Sequence, residues 1–403
     1  MTASRAPLEG LVVLDLTTFL SGPFCTQILA DLGADVIKVE APAGDSSRSI
    51  PPHFIDGDSA YYLGNNRNKK SIVIDLKSGT GLSVLHDLIA KSDVVVENYR
   101  PGVCARLGFD PAEMRRRHPA LIWASISGFG QTGPWKDRPA YDMIVQALSG
   151  AMSLTGEPDR PAVRLGIPAG DVVAGMYTAI GICAAAASRA VDGRGDHIDV
   201  SMLDSLISLL SYQGVYSMIT GEAPAPQAAR HDSIPTYRSF VGGDGRELVV
   251  TANTDRMWRS LCEVLALPQL TGDPRFADQG TRLANKTELW ELLEEAFTTR
   301  SALEWVESLQ DAGVPAALIA NVPEALAEAR AAGRDMVLDL DDGHGNTVSV
   351  LGNPIKFLDS PTVEPVFPPR LGADSAEVLA EIGWSVADIE ALAASDASAA
   401  GQR

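Results

Sequence analysis

The chain has 403 residues, 45% of them hydrophobic and 21% charged, with 52 acidic against 33 basic side chains and a net charge of −19. That length allows a large core and about two domains. The acidic excess argues against nucleic acid as a partner, whose usual footprint is a basic face, and does not exclude a small anion held by a local cluster of Arg and Lys.

The opening MTASRAPLEG leads straight into a strand-like run with no export pattern. Cys25, Cys104, Cys183 and Cys262 are scattered without metal-type spacing, so reduced thiols in the cytoplasm are expected. GLVVLDL (10–16) reads as a buried strand, PFCTQILADLG as a helix ending at Gly33, and ADVIKVE as a second strand. The pattern recurs in SIVIDL (71–76), the helix-like GTGLSVLHDLIAKS and DVVVEN (93–98), with LIWASIS (121–127) as a further strand. Strands alternating with helices predict an α/β fold, Rossmann-like, with a mostly parallel sheet covered on both faces. A ligand would then lie beyond the carboxyl ends of the strands, against Thr17–Pro23, Asn98–Pro101 and Gly128–Tyr141.

After about residue 220 the texture changes. GEAPAPQAARHDSIP reads as a linker, TYRSFVGGDGRELVVTA as a hairpin, and the stretches around 254–266, 285–297 and 301–312 as amphipathic helices. The expected organisation is a large domain over 1–220, a smaller α+β domain over 226–330, and 333–403 as a return linker whose C-terminal helices complete the large domain. GFGQTG (128–133) follows a strand, but the prolines and charges of PWKDRP give no helix start to face a pyrophosphate, so dinucleotide binding is not expected. DLDDGHGN (339–346) has the wrong acid spacing for a calcium loop and reads as a turn. The six histidines form no H-x-x-x-H pair, and no metal site is expected.

GIPAGDVVAGMYTAIGICAAAASRA (166–190) holds Asp171 and then no charge until Arg189. It is only about as long as the shortest membrane spans and is rich in Ala and Gly; no membrane is expected. By itself Asp171 reads as a helix N-cap, a role compatible with a reactive one.

Several segments together resemble the class III CoA-transferases, the formyl-CoA transferase type, a family that also holds α-methylacyl-CoA racemases. The likeness rests on GLVVLDLTTFLSGPFCTQILADLGADVIKVE, NRNKKSIVIDLK, DVVVENYRPGVCARLGFD, SISGFGQTGPWKDRPAYD, GIPAGDVVAGMYTAIGICAAA and GRGDHIDVSMLDSLISLL, and continues through RMWRSLCEVLALPQLTGDPRFADQGTRLANK and AGVPAALIANVPEAL. It implies an interlocked homodimer, acyl-CoA and free carboxylic acids as substrates, coenzyme A as cosubstrate with no resident cofactor, and Asp171 as nucleophile.

The family's CoA contacts carry over to Leu20 and Ser21, to Ile74, Asp75, Leu76 and Lys77, to Asn98, Tyr99 and Arg100, to Arg106, and to Arg138, Tyr141 and Asp142. NNRNKKS (65–71) supplies three further cations for the phosphates, whereas Arg115, Arg116 and Arg117 read as a solvated helix face. A cationic family position after the KVE strand is Ala41 here. The racemases' catalytic histidine is replaced by Tyr141, thirty residues before Asp171. A phenol with an ordinary pKa near ~10 is a poor base, which favours transferase over racemase. The glycine loop of the oxalate-specific enzymes has only FVGGDG as a counterpart, better read as a hairpin turn, so formate/oxalate exchange is not expected. A non-catalytic CoA-binding protein is the remaining alternative.

Overall fold

The computed structural model describes residues 5–400. The chain forms two compact units. The larger comprises Met1–Met152, Arg164–Glu222 and Ala332–Arg403, the smaller Ser153–Val163 and Ala223–Ala331. Ser153–Val163, which the sequence left within the first 220 residues, thus groups with the smaller unit.

The larger unit opens with β1 (Val12–Asp15), α1 (Ser21–Asp31), β2 (Asp35–Glu40), β3 (Lys69–Val73), α2 (Gly79–Lys91) and β4 (Val94–Glu97). Two short helices follow, α3 (Val103–Leu107) and α4 (Pro111–Arg117), then β5 (Ile122–Ser127), α5 (Asp142–Leu148), α6 (Ala169–Asp192), β6 (His197–Ser201), α7 (Met202–Ser208) and α8 (Ser211–Thr220). The six strands make one sheet in the order β3-β2-β1-β4-β5-β6, every pair parallel.

Alternate residues of each strand serve two cores. Val13, Val36, Val94, Val96, Ile122 and Ile126 join Cys25 and Leu29 of α1 and Ala174, Ala179 and Ile182 of α6. On the opposite face Leu14, Ile37, Ile72, Val95 and Trp123 pack with Val84, Leu85, Leu88 and Ile89 of α2. Burial on both faces explains why the strands read as continuous apolar runs, each large side chain contributing about 1.5–3 kcal/mol. Helix α6 is long and apolar enough to cross a bilayer by composition, but its inward face is spent on α1 and the sheet.

Because β1 pairs with β2 on one side and β4 on the other, their carboxyl ends part at a topological switch point. The loops Thr17–Leu20 and Asn98–Pro101 leave from there. A buried ionic cluster lies beneath: Lys38 donates to the Thr17 carbonyl at 2.8 Å and pairs with Asp45 at 2.9 Å, while Lys69 pairs with Asp15 at 3.1 Å. Lys69, fully enclosed, is pulled down to about 8 by burial against the pull of Asp15.

These contacts correct the expectation for NNRNKKS. Arg67 is buried against Asp31 at 2.5 Å, Lys69 belongs to the cluster, and Lys70 faces Asp35, Glu377 and Glu381. An unpaired buried charge is costly, so these cations hold the fold rather than phosphates.

In the smaller unit, β7 (Tyr237–Val241), β8 (Glu247–Thr251) and β9 (Ala316–Leu318) form an antiparallel sheet in the order β9-β8-β7. FVGGDG is the turn of its hairpin, with the Gly242 N–H donating to the Arg246 carbonyl at 2.9 Å. Helices α9 (Asp255–Val264), α10 (Lys286–Phe297) and α11 (Ala302–Asp311) cover the sheet. Their core includes Phe240, Phe297 and Trp305, the first two rings stacked 4.2 Å apart.

The return stretch is less irregular than its composition suggests. It contains the hairpin β10 (Val337–Asp341) and β11 (Thr347–Leu351), with DLDDGHGN across the turn. The chain then runs past the edge strand β3, where Asp374 and Ser375 accept the Ser71 and Val73 N–H groups at 2.7 and 3.1 Å. Pairing an exposed edge in this way closes it to foreign strands. Two last helices, α12 (Ser375–Glu381) and α13 (Val386–Ala400), contribute Val378, Leu379 and Leu392 to the core under α2.

Candidate active site

A cleft of about 640 Å³ opens at the switch point. All three predicted ligand loops line it: Thr18, Phe19 and Ser21 from the first, Asn98, Tyr99, Arg100 and Pro101 from the second, and Gly128, Lys136, Arg138 and Tyr141 from the third. Asp142 and Asp171 complete it with Ile50, Tyr61, Met143, Pro168 and Met202. A second hollow of about 210 Å³ is lined by Ile74, Asp75, Leu76 and Lys77, together with Ala41. Thr18 and Tyr99 line both.

Two of the carried-over residues lie apart. Leu20 is buried as the residue preceding α1, and the exposed Arg106 sits on α3 outside both hollows. Of the nearby triplet, Arg115 donates to the Gly195 carbonyl at 3.3 Å and Arg117 pairs with Glu113.

The two loops at the switch point are welded together. The Asn98 side chain accepts the Thr18 N–H at 2.9 Å and donates to the Thr18 carbonyl at 2.8 Å. Asp45 accepts the Phe19 N–H at 3.3 Å. Phe19 has φ of +64°, a conformation costly for an aromatic residue, and these bonds hold it there.

Asp171 is the third residue of α6, not its cap. Pro168 occupies the cap position, without a side-chain hydrogen bond. Proline fixes the entry of the helix and has no N–H to satisfy, so the aspartate is displaced into the first turn. There it still feels the positive end of the helix dipole, and its carboxyl borders the cleft rather than bonding its own backbone. Burial and the like charge of Asp142 push it up to about 7, against the pull of the Ser21 hydroxyl.

Close approach is built into the helix by two glycines. A Cβ at Gly175 would stand 2.6 Å from the Ser21 carbonyl oxygen, and one at Gly170 would stand 2.7 Å from the Val145 side chain. Ser21 therefore reaches Asp171 only because α1 and α6 nearly touch at Gly175.

Tyr61 was not singled out from the sequence. It stands on a short helix, Ala60–Leu63, and is pushed up to about 12 by burial and by Asp171 and Asp142. It therefore stays a protonated donor beside two carboxylates. Only spatial proximity marks it, since nothing in SAYYLG hints at a site. Tyr141 is 71% exposed at the cleft rim. Such an arrangement can take up a thioester, present a shielded carboxylate to its carbonyl, and meet anionic groups with Arg100, Lys136 and Arg138.

The chain belongs to CoA-transferase family III, whose model matches residues 8–375. It is an enzyme that transfers CoA between acids, as its named relatives are. Acetyl-CoA:oxalate CoA-transferase of Acetobacter aceti is 39% identical, covering 90% of this chain and 93% of that protein. Human succinyl-CoA:glutarate CoA-transferase is 35% identical, covering 93% and 86% respectively. A CAIB/BAIF family protein from Brucella suis, solved by crystallography, superposes with a TM-score of 0.84 at 34% identity over 94% of this chain and 100% of that one.

Proposed function

We propose that the protein is a cytoplasmic acyl-CoA:carboxylate CoA-transferase for small organic acids, working through Asp171. The observation that carries this reading is a part-buried carboxylate in the first turn of α6, bordering a cleft with three cations. Asp171 attacks the thioester carbonyl, giving a mixed anhydride and CoA thiolate. The thiolate attacks the aspartyl carbonyl, the donor acid leaves as its carboxylate, and CoA remains as an aspartyl thioester. The acceptor carboxylate attacks that thioester, forming a second anhydride and releasing the thiolate. Attack of the thiolate on the acceptor's carbonyl frees its CoA ester and restores Asp171. No redox or metal step enters.

Two features favour this sequence. A carboxylate whose proton affinity is raised is a stronger nucleophile once ionised. The Ser21 and Tyr61 hydroxyls are donors for the oxyanions formed in each step. We assign the acyl end of CoA to the cleft at Asp171 and its nucleotide end to the hollow at Ile74–Lys77. Lys77, Arg100 and Arg138 then meet the phosphates. Ala41 leaves the nucleotide hollow without the cation the family pattern has there.

Oxalate and glutarate are acids named for the relatives, and they widen the acceptor class beyond what the short FVGGDG turn suggests. Tyr141 in place of an imidazole stands against racemisation. We further propose an interlocked dimer. The chain leaves the larger unit after Glu222 and returns at Ala332, and Ile180, Met218 and Ile219 expose 61%, 78% and 76% of their surface on α6 and α8. Apolar area of that kind is normally covered by a partner. The test is a panel of CoA esters crossed with a panel of mono- and dicarboxylates, read by mass spectrometry. New CoA esters that appear only with both substrates support the reading; thioester hydrolysis or α-epimerisation without exchange overturns it.

A further inference from the structure

The start of α6 is held from outside by one aspartate and one glutamine of α5. Asp142 accepts the Gly170 N–H through one carboxylate oxygen at 2.7 Å, and the Gln146 amide through the other at 2.6 Å. Gln146 is fully buried and reaches further. Its carbonyl accepts the Leu165 N–H at 2.9 Å, and its amide nitrogen also donates to the Ile167 carbonyl at 3.3 Å. Three backbone groups of the segment 165–170 are thereby satisfied by two side chains, spaced one turn apart on α5.

The bonded segment 165–170 ends immediately before Asp171. Pro168 gives the helix no cap of its own, so Asp142 serves as cap from a distance, at the N–H adjoining the nucleophile. The contact is also close-packed, since a Cβ on Gly170 would lie 2.9 Å from the same carboxylate oxygen.

We infer that Asp142 and Gln146 form a positioning clamp for the nucleophile, fixing the first turn of α6 so that the Asp171 carboxylate keeps its reach into the cleft through both acyl transfers. The inference rests on the reading of Asp171 as nucleophile. Its chemical logic is that one carboxylate must attack once, be attacked twice at its own carbonyl and leave once in each turnover without losing register. Neither clamp residue touches the reacting atoms in this scheme. Asp142 also sets a fixed negative charge near Asp171, alongside Tyr61 and Tyr141 and the cleft cations Arg100, Lys136 and Arg138.

The polarity of the clamp makes it testable by exchange. Asp142→Asn turns an acceptor toward Gln146 into a donor, and Gln146→Glu turns a donor toward Asp142 into an acceptor. Either change alone sets like groups against each other. In Asp142→Asn/Gln146→Glu the pair matches again: the new amide donates to the new carboxylate, which still accepts the Leu165 N–H, and the Asn oxygen still accepts from Gly170, so that only the 3.3 Å bond to the Ile167 carbonyl is lost. The charge has meanwhile moved one side chain away from Asp171.

Steady-state kinetics across pH on the full enzyme, with melting curves to verify folding, give the readout. Each single variant is expected to lower kcat by about tenfold or more with the KM for acyl-CoA within about threefold, as misplacement of a reacting group does. The double variant is expected to recover most of kcat, with its acid limb at lower pH than wild type. Gly170→Ala, which wedges the clamp, is expected to reproduce the kcat loss if a single variant fails to fold. Wild-type kcat in the singles, losses that multiply in the double, or losses confined to KM overturn the clamp. Asp171→Asn in the same panel separates the two claims. If it turns over, the nucleophile reading fails; if it is inactive while the clamp singles are unaffected, only the clamp fails.

Discussion

Asp171 carries two opposed demands, and the tension is measurable. Its carboxyl is pushed from an ordinary 3.8 to about 7 by burial and by Asp142. In the proposed scheme only the ionised form attacks, so kcat/KM is predicted to fall on the acid side with an apparent pKa of about 7. For stability the sign is the reverse. An acid that holds its proton more tightly when folded stabilises the fold below its unfolded pKa, and that contribution is lost as pH rises through the folded value. The wild type therefore loses stability between 3.8 and about 7. Asp171→Asn, neutral throughout, should melt higher than wild type at pH about 8, with the difference shrinking as pH falls toward about 4. The same variant should lose activity by a factor of about 10³ or more. Equal melting curves at both pH values would mean that the carboxyl sits in water-like surroundings.

At the scale of elements, the site depends on how closely α1 and α6 approach. Gly175→Ala should force them apart against the Ser21 backbone, 2.6 Å from the new methyl. Overpacking of this kind costs about 1–3 kcal/mol, and a denaturant midpoint would register it. Because Ser21 moves with α1, kcat should fall as well, whereas Gly193→Ala at the far end of α6 should leave kcat unchanged. A loss of stability without loss of kcat would detach Ser21 from the chemistry. Much of this element layer was legible in the chain. The strands, the helices around 254–266, 285–297 and 301–312, and the three ligand loops follow from apolar runs and turn residues, which are local signals. Pairings were not legible. Arg67 and Lys69 stand in a basic stretch that invites a phosphate, yet their partners Asp31 and Asp15 lie 36 and 54 residues away. The capping of Gly170 by Asp142 spans 28 residues. Asp171 looked like a cap because aspartates at helix starts usually are, and Pro168 three residues earlier already takes that position.

For the whole molecule, the exposed apolar faces of α6 and α8 and the long excursion between Glu222 and Ala332 bear on assembly. Interlocked subunits cannot part without opening, so dissociation should require unfolding rather than dilution. Sedimentation at nanomolar concentration should show a dimer, and tagged and untagged enzyme should fail to exchange subunits under native conditions. A folded monomer on dilution, or mixed dimers within minutes, would contradict that arrangement. The central claim is the covalent role of Asp171, and one measurement reaches it directly. Enzyme mixed with an acyl-CoA, without acceptor, is quenched in acid, digested, and analysed by mass spectrometry. The account predicts CoA joined as a thioester, with loss of water, to the peptide bearing Asp171, and its discharge when a carboxylate acceptor is added before quenching. Turnover with no CoA on that peptide, or with CoA on another residue, would contradict it.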